Sequence, residues 1–171
     1  MGVSVSLLED RLEATDDLGP LSLRPFDDAD KPWLAALWKA CYQPLIERIY
    51  GPWDDEQQRG FFDARFGEAI EVVIISDADG DVGAVYLANG SDDTYIESLE
   101  VHPDYQHRGI GSAVLRWVIR RAAAQGRGVT LQVRRLNDGA RRLYEREGFV
   151  VVSQTDSHYL MRHAVDGGQT T

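Results

Sequence analysis

The run Gln106-His107-Arg108-Gly109-Ile110-Gly111-Ser112 joins an apolar-alternating stretch, residues 95–101, to an amphipathic one, residues 112–125. Strand, glycine-rich turn and helix therefore follow one another. Glycines at such a junction let the backbone approach a ligand, and the first free N–H groups of the helix point at it, which makes an anion site suited to phosphate. Two common phosphate loops are excluded. A P-loop needs Gly-Lys-Ser/Thr, and the sequence has no Lys beyond Lys39; a dinucleotide loop needs a third small residue where Val114 stands.

The remaining pattern, Gln/Arg-x-x-Gly-x-Gly/Ala preceded by Leu99-Glu100-Val101-His102-Pro103, resembles the pyrophosphate loop of the GNAT superfamily of acetyl-CoA-dependent N-acyltransferases. Downstream come Val129-Thr130-Leu131-Gln132-Val133, then Asn137, then a short helix with Leu143-Tyr144-Glu145-Arg146-Glu147-Gly148-Phe149, in the order of the superfamily's cofactor half. Upstream, residues 21–26 and a helix containing Trp33 and Trp38 are similar to its first strand and helix. The resemblance spans roughly residues 20–163 and implies an α/β (α+β) fold, with a mixed, mostly antiparallel sheet of about six to seven strands and about four helices. It leaves residues 1–19 as an N-terminal extension with a weakly alternating start that suits an edge strand, and 164–171 as a polar, disordered tail.

At 171 residues the length fits one domain that buries about two-thirds of its unfolded surface. No run reaches the roughly 18 apolar residues of a membrane span, and Glu9 and Asp10 stand where a signal peptide would be apolar. A cytoplasmic protein is expected, in keeping with the single cysteine, Cys41. No Cys/His cluster has zinc spacing, so no metal is expected. The net charge of −10 is uneven: residues 101–150 hold ten Arg against four acids, giving +6 there and −16 elsewhere. Positive charge gathers around the proposed pyrophosphate loop rather than over a whole face, which suits CoA and argues against nucleic acid. Most of those arginines read as solvated helix faces; Arg108, inside the loop, reads as a ligand.

Along the chain, Asp28 to Asp30 offer caps for a first helix with Leu34, Leu37, Trp38 and Cys41 on one face, which makes Cys41 a core residue. Pro44 is expected to interrupt that helix. A second helix over 55–66 places Phe62 and Phe66 one turn apart, and the two helices flank an acceptor cleft. Residues 72–76 and 82–88 read as a hairpin around Asp77-Ala78-Asp79-Gly80. In the next helix Val114, Leu115, Val118, Ile119 and Ala122 form the buried stripe. Residues 149–152 and 158–161 are closing strands.

Acyl transfer to an amine needs an unprotonated amine, a stabilised oxyanion and a proton for the departing thiolate. The resemblance assigns the proton donor to Tyr144, whose alternative is a core role. It gives Asn137 to the pantetheine arm of acetyl-CoA, the co-substrate, a turn role being the alternative. The loop from Gln106 through Ser112 holds pyrophosphate, and backbone groups near Leu99 and Val101 polarise the thioester and hold pantetheine. Glu97 and Glu100 interrupt a strand that should be apolar, so each must reach water, a partner or substrate. By the two-residue period Glu97 shares a face with Tyr95, Leu99 and Val101, while Glu100 points the other way. The resemblance makes Glu97 a general base; pairing with an Arg, or binding the acceptor's charge, is equally open. His158 and Tyr159 are weaker acceptor-site candidates, followed by Trp53, Asp54 and Tyr42. Asp54, Asp55, Glu56 and Glu97 together suggest a cationic small-molecule amine as acceptor. The alternatives are a protein or peptide amine, or a non-catalytic CoA-binding or sensor domain. Dimers are common among similar proteins, so a homodimer is an open expectation.

Overall fold

The computed structural model describes residues 18–165; the expectations for residues 1–17 and 166–171 lie outside it. The chain forms β1 (Ser22–Pro25), α1 (Lys31–Tyr50), α2 (Asp55–Asp63), β2 (Ile70–Asp77), β3 (Gly80–Asn89), β4 (Asp93–Val101), α3 (Ile110–Ala124), β5 (Gly128–Arg134), α4 (Asp138–Arg146), β6 (Val150–Gln154) and β7 (His158–His163). The seven strands make one sheet in the order β1-β2-β3-β4-β5-β7-β6. Only β4 and β5 run parallel, as the crossover through α3 requires. This is the mixed, mostly antiparallel sheet with four helices that the sequence implies.

Local chemistry explains the joints. The β2–β3 hairpin turns through Gly80 at φ 123, with the Asp77 carboxylate accepting the Asp79 N–H. Asp54 caps α2 by accepting from Glu56 and Gln57, and Asn137 caps α4 by accepting from Ala140.

The sheet separates two cores. On one face Leu34 and Leu37 of α1 and Phe62 of α2 pack on Val72, Ile74, Ala84 and Tyr86. On the other, Val114, Leu115 and Val118 of α3 and Tyr144 of α4 pack on Val85, Leu87, Ile96, Val129 and Leu131, joined by Leu18 and Phe149. Burial of these two faces supplies most of the driving force.

Two expectations fail. Pro44 does not interrupt α1, which runs on to Tyr50. An internal proline costs about 3 kcal/mol, and tertiary ties offset it: the turn before Pro44 is fastened to β4 by Cys41 Sγ, which donates to the Val101 carbonyl at 3.3 Å, and by Tyr42, whose hydroxyl lies 2.8 Å from Ser98 Oγ. Cys41 is accordingly not a plain core residue. It sits at the edge of the α1–α2 core and lines a cleft.

Candidate active site

The site arises where two strands part. β4 and β5 pair only from Asp93↔Gly128 to Ile96↔Leu131; beyond that point the β4 backbone has no strand beside it on the β5 side. The parting coincides with a bulge. Against β3, Tyr86 faces Ser98 while the next residue, Leu87, faces Ile96, so Glu97 is an extra residue with no partner. The bulge also breaks the two-residue period. Ile96, Leu99 and Val101 share one face, while Tyr95, Ser98 and Glu100 lie on the other. The expected grouping of Glu97 with Tyr95, Leu99 and Val101 is therefore incorrect, because the alternation was carried through a residue the ladder skips.

Two clefts open at the parting. The larger, about 870 Å³, is walled by Leu99 to Val101, by Gln106, His107, Gly109, Ile110, Gly111 and Ser112, by Asn137 to Ala140 with Arg142, Leu143, Tyr144 and Arg146 of α4, and by α1. Its loop is shaped by Gly109 at φ 83 and His107 at φ 62, both left-handed. The first helical bond of α3 runs from Ala113 N–H to Gly109 O at 3.0 Å, which leaves the N–H groups of Ile110, Gly111 and Ser112 outside the ladder and free for an anion. Gln106 braces the loop by donating from Nε2 to the Val101 carbonyl at 2.9 Å. A side chain at Gly111 would press on Leu143 at 3.1 Å, so a small residue keeps α3 close to α4.

Arg108 departs from expectation: its guanidinium donates to the Asp104 carbonyl at 3.0 Å and stacks 4.9 Å from the Tyr105 ring centroid, and it lines neither cleft. The arginines that do line the larger cleft are Arg48, Arg142 and Arg146. The four-residue spacing of Arg142 and Arg146, one helical turn, was the available signal for the last two. Asn137 keeps its turn role, with Oδ1 taken by Ala140 N–H at 3.2 Å, yet it lines both clefts and retains its amide N–H groups for a ligand.

The smaller cleft, about 290 Å³, is lined by Tyr95 to Leu99, by Leu131 to Arg134 of β5, by His158 of β7 and by Tyr42 and Leu45 of α1. It shares Tyr42, Leu99, Asn137 and Tyr144 with the larger one. Tyr144 is at once core and wall: its ring packs 5.9 Å from Phe149, and burial pushes its phenol up to about 12. It therefore keeps its proton at neutral pH and can act as a donor. Glu97 is exposed at the cleft margin. Burial, and then the charge of Arg134, hold the His158 imidazole below its usual range, so it is neutral at pH 7; its Nδ1 lies 2.7 Å from Ser157 Oγ.

Of the other expected acids, none lines either cleft. Asp54 is spent on its cap, Asp55 pairs with Lys39 at 2.8 Å and accepts from Trp53 at 2.9 Å, and Glu56 is exposed. Tyr159 stacks on Arg141, 4.4 Å from its ring centroid. Tyr42, ranked low from sequence, borders both clefts.

Between the clefts lies a buried polar group, with Ser98 on the wall of the smaller and Glu100 on that of the larger, whose arginine the sequence did not point to. Glu100, 1% exposed, accepts from Arg65, which comes from the turn after α2, and from Ser98 Oγ at 2.9 Å. Arg65 lies 4.0 Å from the centroid of the Tyr86 ring and 5.5 Å from that of Trp38. Burial raises the Glu100 carboxyl above its usual range, against the opposing pull of Arg65 and the two hydrogen bonds. The requirement that a buried carboxylate find a partner singles out Glu100 from the sequence but does not name Arg65, which is 35 residues away.

Among the described residues no group of three or more His, Cys, Asp or Glu is placed to hold a metal, and no helix is long and apolar enough to cross a membrane. The fold is shared with solved acetyltransferases. The PaiA N-acetyltransferase of Thermoplasma acidophilum, crystallised with coenzyme A, superposes with a TM-score of 0.72 at 17% identity, covering 84% of this chain and 98% of that one. A ribosomal-protein alanine N-acetyltransferase from Escherichia coli gives 0.67 at 20% identity, over 88% and 98%. A spermidine N-acetyltransferase chimera that includes the Vibrio cholerae enzyme gives 0.65 at 16%, over 85% and 96%. The family model described as the acetyltransferase (GNAT) family matches residues 23–149, well over half of the sequence, and the chain belongs to that family.

Proposed function

We propose that this protein transfers the acetyl group of acetyl-CoA directly to a primary amine of a small molecule. The observation that carries the reading is that a cleft suited to phosphates and a second, smaller cleft meet at Tyr144 and Leu99. A donor and an acceptor can thus lie side by side, which is what direct attack in a ternary complex requires.

The chain's residues fit CoA. Free N–H groups of Ile110, Gly111 and Ser112 would bond pyrophosphate, with Arg142, Arg146 and Arg48 supplying countercharge. Backbone groups of Leu99 and Val101 and the Asn137 amide would hold the pantetheine arm. Acetyl-CoA supplies an activated thioester. A main-chain N–H near Leu99 would stabilise the charge that develops on its carbonyl oxygen. Glu97, at the margin of the acceptor cleft, would draw in the ammonium and take its first proton, directly or through water. Tyr144, still protonated at neutral pH, would return a proton to the thiolate. The 290 Å³ acceptor cleft is at the low end of small-ligand sites, about 300–1,000 Å³.

The test is a panel of polyamines, amino sugars, amino acids and short peptides offered with acetyl-CoA, read by free thiol release. Turnover of a small amine is expected. Turnover of peptides alone would move the acceptor to a protein amine, and CoA binding without turnover of any amine would leave a CoA-binding domain.

A further inference from the structure

The polarity of one hydrogen-bonded chain is settled by counting protons. Ser98 has a single hydroxyl proton, and it is donated to Glu100 at 2.9 Å. The 2.8 Å contact between Tyr42 and Ser98 must then be donated by Tyr42. The Tyr42 oxygen is left with its lone pairs, beside both clefts. At the far end, the second oxygen of Glu100 and the Tyr86 hydroxyl are buried and have no partner among the described residues. From cleft to core the order is Tyr42, Ser98, Glu100, Arg65; the Tyr42 and Ser98 protons point inward toward Glu100, and Arg65 donates to that carboxylate from the far side.

We infer that Tyr42, Ser98 and Glu100 form a proton relay that receives the second proton of the acceptor amine, with Tyr42 as the group that touches the amine. The inference rests on the acetyl-transfer reading above and adds to it a route that Glu97, at the exposed margin, does not supply. The ammonium gives its first proton to Glu97. The C–N bond then forms and the C–S bond breaks, its electron pair going to sulfur, which takes the Tyr144 proton. The amine nitrogen gives its second proton to the Tyr42 oxygen; the Tyr42 proton moves to Ser98 and the Ser98 proton to the Glu100 carboxylate. Glu97 and Glu100 afterwards release their protons to solvent, Glu100 by the reverse path, and Tyr144 regains one. Arg65 keeps Glu100 in place throughout.

The groups that face the relay are known. Arg65, Cys41, Tyr42 and Tyr86 act on Glu100 from three sides, and Tyr144 faces Tyr42. Among these Cys41 is raised to about 12 by burial, and Tyr42 and Tyr86 are raised too, so none of the three ionises near neutral pH.

Ser98 is the place to cut, because Ser98→Ala breaks the chain and leaves Glu100 paired with Arg65. Its kcat should fall about ten- to a hundredfold, as for loss of a proton-transfer path, with KM for the amine and the Kd for CoA unchanged by calorimetry. Ser98→Thr restores a hydroxyl and should recover most of the rate. Tyr42→Phe should match Ser98→Ala, and both should change the pH profile of kcat. Parental kcat in Ser98→Ala, or a Ser98→Thr variant as slow as Ser98→Ala, overturns the relay while leaving acetyl transfer intact. If the parent binds CoA but releases no thiol with any amine, acetyl transfer falls and the relay with it.

Discussion

The two clefts share a wall but are held by different physics. The larger is a backbone site: free N–H groups at the start of α3, an unpaired β4 edge, and arginines on exposed helix faces. The smaller is bordered by side chains, its Ser98 tied to a fully buried carboxylate that also reaches the larger cleft and is held by an arginine under aromatic cover from Trp38 and Tyr86. The loop of the main-chain site can be spoiled without unfolding the protein, because a side chain added at Gly109 meets nothing within 4 Å. The side-chain site is part of the core, so damage to it reaches the fold.

The largest expected effect follows from that difference. Glu100→Gln leaves Arg65 facing no carboxylate, and breaking a buried pair in this way costs about 3–5 kcal/mol. In a protein of this size that lowers Tm by roughly 6–20 °C, measurable by calorimetry. The double variant Arg65→Met with Glu100→Leu removes both charges and should recover much of the loss. Equal melting of Glu100→Gln and the parent would erase the contrast between the clefts.

Tyr144→Phe tests the shared wall. The phenyl ring keeps the packing on Phe149, so folding and CoA affinity should change little. Loss of the proton donor should lower kcat about ten- to a thousandfold. An unchanged kcat would return Tyr144 to the core alone.

Gly109→Asp is next in size. The position has φ 83, which Asp tolerates better than most residues, and an added Cβ meets nothing within 4 Å, so the fold should hold. The new carboxylate would face the pyrophosphate, and CoA affinity should fall at least about tenfold, or roughly 1.4 kcal/mol. Gly109→Asn adds similar bulk without charge and should lose less. Equal CoA affinity in all three proteins would remove the phosphates from this loop.

The same contrast explains what the sequence could reveal. The α3 loop was legible because its signal is local: glycines at fixed spacing between a strand and a helix, with the chemistry in the backbone. The sheet and the α3 stripe were legible for the same reason, being periodic. Glu97 and Tyr144 were reached through their neighbours in the chain. The bulge was not legible, since an extra residue in β4 shows itself only against its partner strand, and it moved Tyr95 to the opposite face. Arg65 and Tyr42 were missed or ranked low because they reach β4 from 35 and 56 residues away, through tertiary contacts that no spacing rule encodes. Pro44 misled in the opposite direction: its local signal was clear, and packing against β4 overrode it.

The smallest effect sharpens the comparison by its sign. Arg162 grips Asp93 through two bonds of 2.9 and 2.8 Å and holds its carboxyl below the usual range by hydrogen bonding. The Arg162 side chain is 38% exposed, so the pair is worth at most about 1 kcal/mol and Arg162→Gln should cost no more than about 2–4 °C at pH 7. Because the folded value is depressed, that contribution is present above the ordinary Asp value and is lost as pH falls through the depressed one. Melting curves of parent and Arg162→Gln should therefore converge in acid, and also in about 1 M salt, where the Debye length is about 3 Å. Glu100 carries the opposite sign: its folded value is raised by burial, so its protonation favours the fold below the ordinary Glu value, and that share is lost as pH rises through the raised one. The Arg162→Gln gap should widen with rising pH, and a gap that stays flat from acid to neutral pH would mean that Asp93 draws nothing from its arginine.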